Sequence, residues 1–548
     1  MPAGMNQTST VRANWGVILA ATGLLALAAV TFAPARPTNF RGYDEWLIVS
    51  LLSQGILDFP YANRPLNLIW GLPAWALFPD RLVGFLVFHV AWIGLGGVLV
   101  FLIARRLLRG ATAFAFLAGA FAIVWAPSDR SRLCSVQMIL YSGCTFGALL
   151  ATWLMVEAWS RRRLALAAGA VAAGAAAVLS FEATLAPLAL IPLLLLLGGG
   201  AREPRRLAVW TVAVLGFLAA GGLRAVMPLW TDPERVAYQA QGAPDYSPGP
   251  LAERTLKQLR RHLAPVVQLP PAERSWPVAP VAVVVFAAGF IAASRRVQPG
   301  PNGQREAAPS RSALVLAGGV GLLWALASYV PFALNPHLHG AERMQFLSTP
   351  GVAVLLAASV VGVASLFSPR ARLPAVGLLG AWIVAGGVMR TAALQADWDS
   401  KSGYPDQRRA LLELTSVAPD VAPGSLVLLL GSGAWPLDLT FRHAVRYLYE
   451  GRAVGHAVGA PEFLYETRFE TTGVRSVPRP VLEGPWRESP ALYSYDTIVA
   501  LREDARGRLL LLETWPAELP SLPAGATYAP RARLRLGPRL RRLMILGG

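Results

Sequence analysis

The chain has 548 residues, of which 54% are hydrophobic and only 15% are charged, and its formal net charge is +18. Soluble domains contain about 45–50% apolar residues, so the composition excludes an ordinary soluble protein. The excess of cations lies before residue 391, in loops between apolar segments. This distribution is typical of membrane topology, and we predict an integral membrane protein that binds no nucleic acid.

Apolar windows recur from Trp15 to Met389, and one crossing of the bilayer core needs about 20 residues. Eleven spans are predicted, at residues 14–33, 82–104, 111–127, 136–157, 164–180, 184–199, 207–229, 277–294, 312–333, 350–367 and 373–390. The first is interpreted as a retained helix, because its apolar core is longer than that of a cleaved signal peptide. Every second loop is rich in arginine, which predicts a cytoplasmic N-terminus and an outward-facing C-terminal tail.

The first outer loop, residues 34–81, contains "RGYDEWLIVSLLSQG", where Asp44 and Glu45 precede an apolar helical pattern. Acidic residues in the first helical turn are stabilised by the helix dipole, by about 0.3–1 kcal/mol each, so helix capping is one interpretation. A carboxylate at the membrane surface also suits a general base that takes a proton from an acceptor hydroxyl. Residues 65–79 are short and contain Pro73, which predicts a re-entrant or interfacial segment.

Further polar residues lie in the outer loops. Arg64 and Arg343 are candidates for binding a lipid phosphate through two hydrogen bonds; snorkelling, or an ion pair of Arg343 with Glu342, is the alternative. The candidate substrate contacts are Asp129, Arg130, Arg132, Glu182, His337 and His339. The two histidines lack an evident third ligand, so no metal or other cofactor is indicated. Acids for an acceptor and arginines for a phosphate together fit glycosyl transfer from a lipid phosphate.

After Arg390 the composition becomes that of a soluble domain. "YPDQRRALLELTSVAPD" has the periodicity of a helix, "GSLVLLLGSG" indicates a buried strand, and "YDTIVALRED" and "RLLLLETWP" indicate further strands. We therefore divide the chain into a membrane domain, residues 1–390, and a small extracytoplasmic α/β domain, residues 391–548. The role of the second domain is not evident from its residues.

The order of these features resembles the C-type (GT-C) superfamily of polytopic glycosyltransferases that use polyprenyl-phosphate sugars. The stretch beginning "NRPLNLIWGLPAWALFP" is similar to the one that follows the acidic pair in the transmembrane O-mannosyltransferase branch and its bacterial relatives. "ERMQFLSTPGVAVLLA" is similar to a late motif of the same branch. The acidic pair here is Asp-Glu, where that branch has Asp-Asp.

The resemblance implies an all-α polytopic GT-C-like membrane domain with a lipid cavity, in which Asp44 is the catalytic base and Glu45 a supporting acid. It implies that Arg64 or Arg343 binds the lipid phosphate. The implied activity is that of an inverting membrane glycosyltransferase, which moves a sugar from a polyprenyl-phosphate donor to an envelope glycan, lipid or protein outside the bacterial inner membrane. A transporter or flippase for an envelope lipid or glycan, and an inactive GT-C-like scaffold, are the alternatives.

Overall fold

A computed structural model describes residues 7–57, 64–108, 111–197, 203–227, 245–268, 277–294, 309–334, 345–479, 490–535, 542 and 545–546. The helices of the membrane domain are α1 (Gln7–Thr31), α2 (Glu45–Ser53), α3 (Leu72–Leu77), α4 (Leu82–Leu107), α5 (Thr112–Val124), α6 (Ser135–Arg161), α7 (Leu164–Ser180), α8 (Leu185–Leu188), α9 (Ile191–Leu197), α10 (Pro204–Val226), α11 (Pro248–Leu263), α12 (Val278–Ser294), α13 (Arg311–Ala333), α14 (Gln345–Ala364) and α15 (Pro369–Lys401).

Six of these helices are long and apolar enough to cross a membrane: α4, α6, α10, α13, α14 and α15. Shorter apolar helices of 10–17 residues occupy Trp15–Thr31, Thr112–Val124, Leu164–Ser180, Glu182–Leu195 and Val278–Ser294. Each predicted span therefore coincides with an apolar helix, while six helices in the described part of the chain meet both the length and the hydropathy of a span. The polytopic helical fold is confirmed at this level, and the number eleven stays a prediction.

Glycines allow the helices to approach closely. A Cβ at Gly321 of α13 would lie 2.6 Å from the carbonyl oxygen of Gly351 in α14, and a Cβ at Gly97 of α4 would lie 2.9 Å from that of Gly119 in α5. In a lipid bilayer the hydrophobic effect does not drive helices together. Small residues at helix crossings let the backbones approach closely, and van der Waals contact then stabilises the packing.

Described residues of three arginine-rich loops lie at one end of the helix bundle. Arg106, near the end of α4, pairs with Glu157 of α6 at 3.4 Å, and Arg162 pairs with Glu203, which precedes α10, at 2.8 Å. Described residues of several other loops contact one another at the other end. There the side-chain amide of Asn39 donates to the carbonyl of Leu133 at 3.0 Å, and that of Asn67 to Ser180 at 2.7 Å. This second end also carries the soluble domain.

The last membrane helix, α15, continues through Arg390 to Lys401, and the soluble fold begins at Tyr404. Its elements are α16 (Tyr404–Val417), β1 (Asp420–Val421), β2 (Ser425–Leu430), α17 (Asp438–Leu448), β3 (Ala453–Ala457), β4 (Tyr465–Glu470), β5 (Gly473–Pro478), β6 (Ala491–Tyr493), β7 (Ile498–Glu503), β8 (Leu509–Leu511) and β9 (Leu534–Arg535). One sheet has the order β3-β2-β7-β8, with β2 parallel to both neighbours, and β4-β5-β6 form an antiparallel sheet. The predicted helix and strands of this domain are confirmed.

The soluble domain packs directly on α2. The indole of Trp46 donates to the amide oxygen of Gln407 in α16 at 2.8 Å, and its ring lies 6.4 Å from that of Tyr447 in α17. Phe40, in the loop before α2, contacts Tyr404 with ring centroids 4.9 Å apart. Residues 45–52 are all buried as a result. The helix that follows the acidic pair is thus held between the membrane bundle and the soluble domain.

Candidate active site at the end of the bundle that carries the soluble domain

The Glu45 carboxylate lies inside the turn that precedes α2 and is fully buried. Its Oε1 accepts hydrogen bonds from the Arg41 N–H at 2.7 Å and from the Cys134 thiol at 3.0 Å. Its Oε2 accepts from the N–H groups of Gly42 at 3.1 Å and Tyr43 at 3.0 Å. Burial raises the pKa of Glu45, although the thiol and the backbone donors act in the opposite direction. Glu45 therefore organises the loop that carries its neighbour.

Asp44 occupies the N-cap position of α2, yet its side chain makes no capping hydrogen bond. The carboxylate is partly exposed and instead faces α6, where the Gln137 amide donates to Oδ2 at 2.7 Å. The amide oxygen of Gln137 is buried and has no hydrogen-bond partner in the described part of the chain. A carboxylate, which can receive a proton from a hydroxyl group, and an amide oxygen, which can only accept a hydrogen bond, therefore lie side by side.

Arg64 forms a bidentate ion pair with Glu182, in the turn after α7. The guanidinium donates from Nε to Oε2 at 2.9 Å and from Nη2 to Oε1 at 2.7 Å. Arg224 of α10 donates to the same Oε2 at 3.5 Å. Burial opposes ionisation of this carboxyl, but the two guanidinium groups outweigh it and lower the pKa of Glu182 to about 2. Two cations therefore share one carboxylate at this end of the bundle.

One face of α6 connects this charge cluster to Asp44. Gln137 and Tyr141 are four residues apart, one helical turn or about 6 Å along the axis. The ring of Tyr141 lies 5.2 Å from that of Phe181, and the Arg64 guanidinium lies 4.3 Å above the Phe181 ring. Asp44 therefore contacts one turn of α6 directly, and Arg64 is connected to the next turn through Phe181 and Tyr141.

Arg64 is held there because Trp70 fits a groove in α6. A Cβ at Gly143 would lie 2.3 Å from the Trp70 side chain, and a Cβ at Gly147 would lie 2.7 Å from it. The Trp70 indole also donates to the Ser180 hydroxyl at 3.0 Å. Between residues 65 and 79 the helices are a short 3-10 helix, Asn67–Trp70, and the six-residue α3. The segment predicted to be re-entrant therefore packs against the bundle without crossing it.

A cavity between α4, α5 and α6 is lined in part by charged and hydroxyl side chains, and we call it the polar cavity. Its lining includes His89, Asp129, Arg132, Ser142, Phe346 and Thr349. Arg132 is buried, and it donates to the carbonyl oxygens of Ile123 and Val124 at the end of α5. Cations commonly satisfy the last carbonyls of a helix in this way, so Arg132 acts as a C-cap as well as a wall of the cavity.

A second, apolar cavity continues along α4 towards the opposite end of the bundle. Both cavities are lined by Leu149 and Pro350, which makes them neighbours. Along α4 the combined lining runs from His89 to Leu107, which corresponds to about 27 Å of helix axis. The hydrocarbon core of a bilayer is about 30 Å thick, so the two cavities together extend through most of its depth.

The structure brings several of the predicted residues together and separates others. Asp44 and Glu45 lie beside Gln137, Arg64 pairs with Glu182, and Asp129 and Arg132 line the polar cavity. Arg130 is exposed, and its carbonyl oxygen accepts a hydrogen bond from the Trp398 indole at 2.8 Å. His337, His339 and Arg343 lie outside the described residues. Among those that are described, no group of three or more His, Cys, Asp or Glu side chains could hold a metal ion.

The sequence analysis missed Gln137 and Arg224. Gln137 lies in an apolar helix, and nothing in its local pattern indicates that it faces Asp44. Arg224 did carry a signal, because it is a cation within a predicted apolar span, and such residues usually face the bundle interior or a partner. Its contact with Glu182 joins α10 to the cluster around Arg64.

No protein-family model matches the chain, and no curated protein is significantly similar to it in sequence. Similar solved structures include an oligosaccharyltransferase from Archaeoglobus fulgidus in the apo form, with a TM-score of 0.43, 15% identity and coverage of 82% of this chain. Another is the oligosaccharyltransferase AglB from the same organism in complex with an inhibitory peptide and a dolichol-phosphate, with a TM-score of 0.40, 13% identity and coverage of 79% of this chain. The chain spans 65% and 64% of those two proteins.

ArnT from Cupriavidus metallidurans in the apo state is similar over 90% of this chain and 93% of its own, with a TM-score of 0.41 and 16% identity. These values do not assign the chain to a family. The resemblance to the O-mannosyltransferase branch therefore stays a prediction.

Proposed function

We propose that this chain is a membrane glycosyltransferase that transfers a sugar from a polyprenyl-phosphate donor to a hydroxyl group of an envelope acceptor, with Asp44 as the general base. The observation that carries the proposal is the arrangement on α6. Asp44 and the arginine cluster at Arg64 contact neighbouring turns of that helix, through Gln137 and through the rings of Tyr141 and Phe181. An acid for the acceptor and cations for the donor phosphate are therefore connected through adjacent turns of one helix.

The acceptor side is built around Asp44. Its partly exposed carboxylate can take the proton of an incoming hydroxyl, while the hydrogen bond from the Gln137 amide orients that carboxylate. Glu45 supports this arrangement from behind, since its hydrogen bonds to residues 41–43 fix the turn before α2. Asp44 and Glu45 thus have different roles: base and positioning residue.

The donor side is built around Arg64. A guanidinium group matches the geometry of a phosphate oxygen pair, and the two cations at this site would stabilise the negative charge of the departing lipid phosphate. The apolar cavity suits the prenyl chain, because each buried methylene contributes about 0.8 kcal/mol to binding. Phe346 lies between the polar cavity and the Arg64 cluster, because it lines the cavity and its ring contacts those of Tyr141 and Phe181.

In the proposed reaction the acceptor oxygen attacks the anomeric carbon of the sugar as its proton passes to Asp44. The bond between that carbon and the phosphate oxygen breaks, and its electron pair leaves with the lipid phosphate. A single displacement of this kind inverts the configuration at the anomeric carbon. The protein's contribution is orientation, one proton acceptor and cations at the leaving group.

The test compares envelope glycans from cells that make the wild-type protein, Asp44→Asn or Asp496→Asn in place of the chromosomal copy. Asp496 is an exposed residue of the soluble domain and serves as the matched control. Mass spectrometry should show a sugar modification in the wild type and the control that is absent in Asp44→Asn at equal expression. Identical glycans in all three strains would contradict the proposal. Lipid translocation without sugar transfer in reconstituted vesicles would favour a transporter.

A further inference from the structure

Glu182 occupies the place where the proposed donor phosphate would bind. Its two carboxylate oxygens accept hydrogen bonds from one edge of the Arg64 guanidinium, the fork formed by Nη2 and Nε, at 2.7 and 2.9 Å. A phosphate that uses this fork in a bidentate manner must replace Glu182, because the same N–H groups cannot serve both anions at full strength. The ion pair is accessible enough for exchange, since the Glu182 side chain is 44% exposed.

Arg224 is a second cation at this site, and its guanidinium can donate further hydrogen bonds. Its side chain is only 12% exposed, and one nitrogen, Nη2, contacts Glu182 at the long distance of 3.5 Å. Its Nε is buried and has no hydrogen-bond partner in the described part of the chain. A buried donor of this kind is unfavourable unless it is satisfied in another state of the protein. A phosphate has more acceptor oxygens than a carboxylate and can satisfy both guanidinium groups.

The phosphate group of the lipid carries a different charge before and after sugar transfer. The donor is a phosphodiester with one negative charge, which equals that of Glu182. After the sugar has left, the lipid carries a phosphomonoester with a charge of about −1.5 to −2 at pH 7. Two arginines therefore hold the product more strongly than the donor, and without a competing anion product release would limit turnover.

From this geometry we infer that Glu182 is a competing anion, which occupies the Arg64–Arg224 pair without lipid and returns to displace the polyprenyl-phosphate product. Arg224 is the second ligand of the phosphate. The inference rests on the proposed function and adds to it a device for product release. A purely structural ion pair would instead strengthen lipid binding by holding Arg64 in place, so the two roles predict opposite effects of removing the carboxylate charge.

The experiment measures binding of farnesyl phosphate to the full-length protein in detergent by native mass spectrometry, with uncharged farnesol as the reference. Glu182→Gln should bind farnesyl phosphate about fivefold more tightly, as expected from losing one partly exposed competing ion pair, and Arg224→Gln about fivefold more weakly. The control is Glu203→Gln. Glu203 also pairs with two arginines, Arg162 and Arg206, but at the opposite end of the bundle.

Steady-state kinetics give a second test of the proposed role of Glu182. Glu182→Gln should lower both KM and kcat for the donor, because it binds lipid more tightly and releases product more slowly. Unchanged or weaker farnesyl phosphate binding by Glu182→Gln would overturn the inference while leaving the proposed function intact. Absence of binding by the wild type would overturn the proposed function itself. If Glu182→Gln does not fold, Glu182→Asp, which shortens the reach to Arg64, should tighten binding in the same direction.

Discussion

The amide of Gln137 donates a hydrogen bond of 2.7 Å to the Asp44 carboxylate and joins the start of α2 to the first turn of α6. The bond is accepted by Oδ2 of Asp44, and Oδ1 takes no part in it. It also aligns Asp44 with the helix that carries Tyr141 and, through Phe181, the Arg64 cluster. Gln137 therefore helps to fix the position of the proposed base relative to the proposed phosphate site.

Gln137→Leu should lower transfer about tenfold, because hydrogen bonds to charged groups contribute about 1.5–3 kcal/mol and this bond orients the base. The KM for the donor should stay unchanged, since Gln137 lies on the acceptor side of the site. The measurement is a donor titration in membranes, with the exposed Gln268→Leu as control. A loss of donor affinity with an unchanged maximal rate would show that Gln137 does not act through Asp44.

Gly143→Ala should displace Trp70 from its groove. The new Cβ would lie 2.3 Å from the Trp70 side chain, and overpacking of this kind typically costs about 1–3 kcal/mol. Because Trp70 anchors the segment that carries Arg64, the variant should also lose donor affinity. The control is Gly222→Ala in α10, whose Cβ would meet no atom within 4 Å. Thermal unfolding in detergent measures the effect, and equal melting temperatures for the two variants would contradict this packing.

The stabilisation from the Arg64–Glu182 pair should depend on pH in a defined window. The pKa of Glu182 is lowered from 4.5 to about 2, so its contribution is complete above about pH 4.5 and is lost as the pH falls towards 2. The contribution is small, about 1 kcal/mol or less, because the pair is partly exposed. The melting temperature difference between the wild type and Glu182→Gln should be constant from pH 5 to 8 and should shrink below pH 4. A difference that grows on acidification would have the wrong sign.

Ala317→Phe should fill part of the apolar cavity, which Ala317 lines from α13. The expected result is a higher KM for a donor with a long prenyl chain and an unchanged KM for a donor with a single farnesyl unit. Val315→Phe, at a position of the same helix that is 75% exposed, is the control. Equal KM values for the long-chain donor in both variants would exclude this cavity as the chain site.

The helices could be predicted from the sequence because membrane burial imposes long apolar windows that need no knowledge of tertiary contacts. The alternating arginine-rich loops likewise predicted that the loops would gather at two ends of the bundle. The strand of residues 425–430 was predictable for a similar reason, since "SLVLLL" is a continuous apolar run next to a turn.

The site was harder to predict, because its contacts join residues that are far apart in the chain. Arg64 and Glu182 are 118 residues apart, and each was a candidate for a separate role. The glycines of "GCTFG" at residues 143–147 are spaced for close packing, but the sequence does not say that a tryptophan fills the groove. The resemblance implied different roles for Asp44 and Glu45, base and supporting acid, but the sequence does not show that Glu45 is the buried carboxylate and Asp44 the partly exposed one.

We propose that Asp44 removes the acceptor proton. The substitution Asp44→Asn isolates this role, because the amide keeps the shape of the side chain and loses its basicity. The measurement is the rate of sugar transfer by purified protein in nanodiscs, together with the affinity for farnesyl phosphate. We predict a loss of about 10²–10⁴-fold in transfer rate, the usual contribution of a general base, with unchanged lipid affinity. Transfer at the wild-type rate in Asp44→Asn would contradict the account.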